Sequence, residues 1–451
     1  MLGTTFPIPG SSAAIDAVTL IYFRGINGKK VQYVKNPDLD VTVVIPARNE
    51  ERMIKRCVES LFNQTCLPKK VIIVDDCSQD ETPEICRELD KKYLDLIYIR
   101  QRKRSGKANN INYAAQLLLT QKELFTDIMV IVDGDTSPQR DFIEQIKKPF
   151  VSNDVAAVSG TASIIEPENL KSKAIAGIYR FLFGFYDWQK NAQGYRNAVN
   201  PICGGAVAYR TYVLGKIPVP ARCTTEDTDH TWLLQEKKYK VIHNPKARID
   251  SEQAKTFQGF LRQWFRWYSG SHQAWFIHGR KLLSAKKLLF TTLLPSALDA
   301  WIYSIWLFAF LFLALWDPIW SLWLLALDMG LTGFFVMLVS PRELKYLPVI
   351  WIIKFPLALT WIASGLKAMW ERLTNKQRSW SKAWERPDHR ASMANFSLPT
   401  KITANPALHT INNQPENAAE CELYKFLKKL QFKSIPDRCL QCRNLIECIK
   451  K

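Results

Sequence analysis

Ile128-Met129-Val130-Ile131-Val132-Asp133-Gly134-Asp135 is the stretch that decides how this chain folds. Five consecutive apolar residues, with no polar alternation, describe a strand buried on both faces. Two carboxylates separated by one small residue then stand at its carboxyl end. The same pattern recurs upstream. Val41–Ile45 runs into Pro46-Ala47-Arg48-Asn49-Glu50, and Val71–Val74 into Asp75-Asp76-Cys77-Ser78-Gln79-Asp80. Leu96–Ile99 is followed by Ser105-Gly106-Lys107-Ala108-Asn109. Helical spacing over Glu50–Phe62, Glu81–Tyr93 and Lys107–Leu119 separates the strands. Strand and helix in alternation predict an α/β domain with a mostly parallel sheet covered on both faces. Ligands of such sheets bind beyond the carboxyl ends of the strands, so these polar stretches are the candidate site.

Beyond Ser251 the period changes. Phe257, Phe260, Leu261, Trp264, Phe265 and Tyr268 form an apolar helical stripe, with Arg262 and Arg266 off it. That pattern suits a helix lying in a membrane interface. Three apolar stretches follow: Leu288–Trp316 with only Asp299 charged, Ile319–Ser340 with only Asp328, and Leu347–Trp370 with Lys354 and Lys367. Each reaches the length of about 20 residues that spans a bilayer. Eight of the 15 Trp lie between Trp301 and Trp370, where they suit headgroup belts. The expected organisation is a leader over 1–40, a catalytic domain over 41–250, amphipathic interface helices over 251–287, two or three transmembrane helices over 288–371, and a basic, Cys-containing tail over 372–451.

The 451 residues, 47% hydrophobic and 23% charged, exclude wholesale disorder. The formal charge of +19 allows a nucleic acid or an anionic membrane face as partner. Lys255–Lys287 carries seven Lys or Arg and no acid just ahead of the apolar region, which favours the bilayer; no nucleic-acid-binding motif accompanies it. Basic residues precede the first apolar stretch (Arg280, Lys281, Lys286, Lys287) and follow the third (Arg372, Lys376, Arg378). Both flanks therefore belong on the cytoplasmic side, and three crossings cannot achieve that. The third stretch, with Pro348, Lys354 and Pro356, is the candidate for an interfacial or re-entrant piece. No secretory signal precedes Cys57, Cys66, Cys77, Cys86, Cys203 and Cys223, so free thiols in a reducing compartment are expected.

Four constellations carry chemistry. Asp133-Gly134-Asp135 offers hard oxygen ligands for Mg²⁺ or Mn²⁺ against a diphosphate. Thr225-Glu226-Asp227-Thr228-Asp229 precedes a helix; its threonines suit an N-cap and its carboxylates a general base. Gln263, Arg266 and Trp267 share one helix face, where amide, guanidinium and indole can bind phosphate and stack on a sugar. Cys203-Gly204-Gly205 permits close backbone approach, whether to a ligand or at a strand bend.

In order and spacing these elements resemble the processive family-two glycosyltransferases with a GT-A fold, the group of cellulose, chitin, hyaluronan and poly-N-acetylglucosamine synthases. The resemblance covers roughly residues 41–385. It implies that Asp75 or Asp76 contacts the nucleotide base, with Glu50 and Lys107 nearby. It places Asp133 and Asp135 at the nucleotide diphosphate as metal ligands, with Asp135 the preferred one of the two. Asp227, beside Glu226, becomes the general base. Gln263 and Arg266 hold the diphosphate, Trp267 stacks on the acceptor sugar, and Cys203 and Gly204 border the acceptor. The implied protein is a multi-pass cell-membrane enzyme with its catalytic domain in the cytoplasm, inverting, metal-dependent, and transferring sugar from a UDP-sugar to a growing polysaccharide. With so few membrane helices, a homodimer or partner subunit is a further expectation. Other readings left open are transfer of one sugar to a membrane lipid, and a non-catalytic scaffold that keeps the fold. Outside the resemblance, Cys421, Cys439, Cys442 and Cys448 give C-x17-C-x2-C-x5-C, a pattern open to Zn²⁺ or Fe–S ligation, free thiols or disulfides.

Overall fold

The computed structural model describes residues 11–22, 38–167 and 169–374. Eight strands form one sheet: β1 (Val41–Ala47), β2 (Lys70–Asp75), β3 (Leu96–Arg100), β4 (Ile128–Val132), β5 (Thr136–Pro138), β6 (Val155–Ile164), β7 (Ala206–Arg210) and β8 (Lys240–Ser251). Their spatial order is β3-β2-β1-β4-β7-β6-β8-β5. The first four are parallel, β7 runs antiparallel to both β4 and β6, β8 parallels β6, and β5 closes the edge antiparallel to β8. Six of the eight strands thus point one way, the mostly parallel sheet of a GT-A fold.

The helices are α1 (Ser11–Leu20), α2 (Ile54–Phe62), α3 (Thr82–Lys92), α4 (Lys107–Thr120), α5 (Phe142–Lys147), α6 (Leu170–Arg196), α7 (Thr211–Lys216), α8 (Glu226–Glu236), α9 (Phe257–His278), α10 (Lys286–Leu288), α11 (Leu294–Trp316), α12 (Pro318–Val339), α13 (Leu347–Ile352) and α14 (Lys354–Leu373). The period-two geometry of β1 divides the core. Val43 and Ile45 face Ile54, Val58 and Leu61 of α2, while Val44 faces the opposite layer with Ala108, Ile111 and Ala115 of α4. Burying both faces explains why these strands read as unbroken apolar runs.

Two expectations need correction. Helix α2 starts at Ile54, not Glu50. Asn49 takes a left-handed φ of 53°, and the Met53 and Ile54 amides turn back onto the Glu50 carbonyl. Glu50 therefore belongs to the turn above β1. The stripe on α9 is also partly covered by protein, with Phe257 left exposed. Phe260, Trp264 and Tyr268 are fully buried in protein, between α6 and α14. Tyr179 packs edge-on to Phe260, and Trp361 edge-on to Tyr268.

α9, α6 and α14 belong to a third hydrophobic cluster, which joins the sheet domain to the apolar helices. Lys281–Trp306 and Pro318–Val339 are long and apolar enough to cross a membrane. Pro341–Ile352 and Lys354–Leu373 qualify only if counted as one span, across a bend of 52°. At that break Lys354 Nζ reaches both carboxylate oxygens of Asp328, 2.7 Å each, and Thr332 Oγ1 at 3.0 Å. The apolar helices leave Ile302, Ile305, Phe312, Leu315, Trp316, Trp320 and Trp323 exposed. The six cysteines before residue 375 are free thiols. Cys421, Cys439, Cys442 and Cys448 lie outside the described residues.

Candidate active site

The carboxyl ends of β1 and β4 open on a cavity of about 700 Å³, roofed by α6 and α9. Of the residues singled out in the sequence, Glu50, Asp76, Lys107, Asp133, Asp135, Cys203, Gly204, Glu226, Asp227, Gln263, Arg266 and Trp267 all line it. Asp75 does not. It is fully buried one residue earlier, where it accepts from the Ser78 amide at 2.8 Å and the Tyr98 hydroxyl at 2.9 Å. Successive residues of a strand point to opposite faces, so only one member of the pair can face the ligand side. Asp76 braces the neighbouring loop, where its carboxylate accepts from the amides of Ser105 (2.6 Å) and Gly106 (3.0 Å). Gly106 sits at φ 88°, a conformation suited to glycine, and this turn aims Lys107 at the head of α4.

Lys107 is the hub. Its ammonium lies 2.6 Å from Asp133 Oδ1 and 3.4 Å from Glu226 Oε1, and donates to the Gly204 carbonyl at 3.2 Å. Burial opposes that charge, yet Asp133 and Glu226 outweigh it and hold Lys107 above the usual lysine range. Burial pushes Asp133 up against the pull of Lys107, and neighbouring Asp135 adds repulsion. Burial likewise raises Glu226, with Lys107 opposing and Asp227 repelling. Several carboxylates thus share one buried cation, an excess of negative charge that a further cation in the cavity would relieve.

Glu226 and Asp227 occupy the first turn of α8, where the helix dipole favours anions. Thr225 stands at the N-cap position without making a side-chain cap bond. Instead the Thr228 amide donates to Asp227 Oδ1 at 2.7 Å. The two glycines serve the acids. A Cβ on Gly205 would come within 2.6 Å of Asp133 Oδ2, and one on Gly204 within 3.0 Å of Asp227 Oδ2. Their close approach is to the protein's own carboxylates.

On α9, Gln263, Arg266 and Trp267 project into the cavity together. The Gln263 amide is held at both ends: Tyr179 Oη donates to its oxygen, and its nitrogen donates to Gln253 Oε1 at 3.1 Å. Trp267 stands edge-on to Trp264, with Phe183 beside it. Sequence reasoning missed the contribution of α6, which brings Phe183, Tyr186, Asp187 and Lys190 to the wall. Its signal was present: Ile175, Ile178, Tyr179, Leu182, Phe185 and Tyr186 recur at helical spacing. Among the described residues no group of three His, Cys, Asp or Glu is placed to hold a metal ion.

Residues 42–217 match the family model described as Glycosyl transferase family 2. The poly-beta-1,6-N-acetyl-D-glucosamine synthase of Staphylococcus aureus strain COL is 24% identical over 261 residues, 56% of this chain and 61% of that protein. The synthase of the same name from Staphylococcus epidermidis is 24% identical over 269 residues, 58% and 62% of the two chains. This chain thus spans about three-fifths of the length of the curated relatives it matches. Among solved structures, the mannosyltransferase PcManGT from Pyrobaculum calidifontis, in complex with GDP-Man and Mn²⁺, superposes with a TM-score of 0.56 at 20% identity, covering 80% of this chain and 97% of that one. Sheet topology, the acid-lined cavity at the strand ends and the structural likeness agree on a GT-A fold, whose residues 42–217 are similar to family 2 glycosyltransferases.

Proposed function

We propose that this protein is a membrane-bound, inverting glycosyltransferase that moves a sugar from a UDP-sugar onto a growing polysaccharide. One observation carries the reading. The D-x-D, the T-E-D and the Q-x-x-R-W, far apart in sequence, line a single cavity at the strand ends. The identity with poly-beta-1,6-N-acetyl-D-glucosamine synthases supports a polysaccharide product.

In this mechanism Asp76 and the turn it braces receive the base of the nucleotide. Arg266 and Gln263 lie along the diphosphate, and the guanidinium offsets charge that grows on the leaving group. Trp267 and Phe183 give the acceptor sugar an aromatic floor. Asp227 takes the proton of the acceptor hydroxyl as its oxygen attacks the anomeric carbon from the face opposite the diphosphate. The new C–O bond forms as the bond to the β-phosphate oxygen breaks, and UDP leaves with the electron pair. One displacement inverts the anomeric centre. Lys107 stands between Asp133 and Glu226 and offsets their negative charge while this happens.

The donor set fits Mg²⁺ or Mn²⁺. Such ions take one or two protein carboxylates and fill the remaining positions with phosphate oxygens and water. Asp135 is the ligand of choice, because Asp133 already pairs with Lys107 at 2.6 Å. When bound, the ion supplies positive charge at the diphosphate. The Mn²⁺ of the PcManGT complex supports a divalent ion here.

The membrane reading rests on the exposed aromatic and aliphatic girdle of α11 and α12. These helices would cross outward and back. Both ends of the following segment return to the transferase domain: Glu343 pairs with Arg180 of α6 at 2.7 Å, and Glu371 reaches Gln273 of α9. The bent third stretch then stays at the cytoplasmic face, which reconciles the two basic flanks.

The test uses the full chain in detergent with Mg²⁺ or Mn²⁺ and single UDP-sugars, following UDP release and product size. Long product from one UDP-sugar is expected. A lipid-sized product would replace the polymerase reading with single transfer, and no release from any UDP-sugar would overturn the donor. Asp227→Asn is expected to abolish transfer and keep UDP binding; lost binding in that variant would argue against the base role.

A further inference from the structure

Thr224, immediately ahead of the T-E-D, is held by a side chain that no site motif contains. Gln273 of α9 accepts through Oε1 from both the Thr224 amide and the Thr224 hydroxyl, each at 2.9 Å. Its Nε2 donates to Glu371 Oε2 of α14, also at 2.9 Å. The other oxygen of Glu371 faces Lys367 Nζ at 2.8 Å. Thr224, Gln273 and Glu371 are all buried.

We infer that Gln273 and Glu371 are positioning residues that set the place of Asp227, and that α14 thereby holds the catalytic loop in register. This rests on the reading of Asp227 as the base. The polarity of the relay is fixed by its ends. A peptide N–H can only donate and an ionised carboxylate can only accept, so the Gln273 amide has one orientation that satisfies both. A neutral residue at position 371 would leave that orientation unspecified. A buried carboxylate is costly unless its bonds are used, and here both of its oxygens are engaged. The neighbouring packing leaves little slack: a Cβ on Gly270, one helical turn before Gln273, would meet Thr225 Oγ1 at 2.4 Å. Thr224 and Thr225 are therefore pressed onto α9 at two successive turns, and Glu226 and Asp227 follow at once on α8.

The relay can be reversed without losing a bond, which gives its test. In the reciprocal variant Q273E/E371Q, Thr224 donates to the new carboxylate, the new amide at 371 donates to it, and the amide oxygen accepts from Lys367. Gln273→Glu alone sets two carboxylates against each other. Turnover is measured per UDP-binding site in the detergent-solubilised full chain, so that unfolded protein does not count. Gln273→Glu is expected to lower kcat about 10–100-fold with donor KM within about twofold, since a shift of order 1 Å at a catalytic group costs that much. Glu371→Gln, whose carbonyl still accepts from Gln273, is expected to lose only about threefold. The double variant is expected to recover to within about threefold of the parent, a restoration that simple loosening of the fold would not produce.

Unchanged kcat in Gln273→Glu, or a double variant no better than that single one, would overturn the inference. Where Gln273→Glu fails to bind UDP, Glu371→Met takes its place, with kcat loss and intact binding expected and unchanged kcat refuting. Asp227→Asn separates the two readings. If it turns over, the base assignment falls; if it is dead while Gln273→Glu is fully active, only the positioning role falls.

Discussion

Replacing Gly205 with alanine is the sharpest probe of the acid cluster. The added Cβ would lie 2.6 Å from Asp133 Oδ2, against the 3.0 Å that real Cβ contacts essentially never undercut. The obstruction is no flexible tip. Asp133 is held through Oδ1 by Lys107 at 2.6 Å and through its backbone carbonyl by the Thr136 amide and hydroxyl. The carboxylate must rotate or retreat by roughly half an ångström or more to restore ordinary contact. Either movement drags Oδ1 off Lys107 and shifts that ammonium toward Glu226. Misplacement on this scale costs about 100-fold in turnover, near 2.7 kcal/mol of transition-state stabilisation. The overpacking itself costs about 1–3 kcal/mol of stability. The assay is UDP release beside UDP binding and a thermal melt. Gly204→Ala is the graded companion: its Cβ meets Asp227 Oδ2 at 3.0 Å, so a loss of about tenfold is expected. Gly194→Ala, in α6 with nothing within 4 Å of the new methyl, is the control. It should leave turnover unchanged and stabilise by about 0.4–1 kcal/mol. Turnover of Gly205→Ala within about threefold of the parent would refute the reasoning, because Asp133 would then not need its present place.

Lys107→Met should cost about 3 kcal/mol of stability, at the lower end for a broken buried pair because Asp133 opens on the cavity. Loss of the ammonium raises Asp133 and Glu226 further, so the ascending limb of the pH–rate profile moves to higher pH; an unmoved limb would count against the hub. His278 gives a pH effect on stability. Its ring nitrogens face Asp229 at 2.7 Å and Glu236 at 2.5 Å. Burial opposes its charge, but these hydrogen bonds hold it above the ordinary histidine range. The stabilisation is then complete below the unfolded value of about 6.5 and fades as pH rises through the raised folded value. Melting temperatures of the parent should therefore fall on that alkaline side, and His278→Gln should flatten the fall; parallel curves for the two proteins would refute it.

The first four strands and the three helices between them were legible because their signals are local. A strand buried on both faces is a short apolar run, and a polar loop after each run marks the ligand end of a parallel sheet. The three motifs also announced themselves by residue type and spacing. What lay beyond sequence was their arrangement. Adjacent Asp75 and Asp76 look equivalent in one dimension, and only strand pleat assigns Asp76 to the cavity and Asp75 to Tyr98. The stripe on α9 has the period of a membrane-surface helix, and period alone cannot say whether lipid or protein covers it. Here α6 and α14 cover Phe260, Trp264 and Tyr268, while Phe257 stays exposed.

Sequence by itself thus determined the chemistry: which acids, which cation, which aromatic, and the alternating apolar runs that place them at strand ends. Tertiary structure decided who touches whom. Lys107 meets Asp133 and Glu226 because β4, α4 and α8 converge, and Gln273 meets Thr224 and Glu371 because α9 is packed between α8 and α14. Contacts between residues so far apart along the chain are set by the packing of whole elements, and no local pattern encodes them.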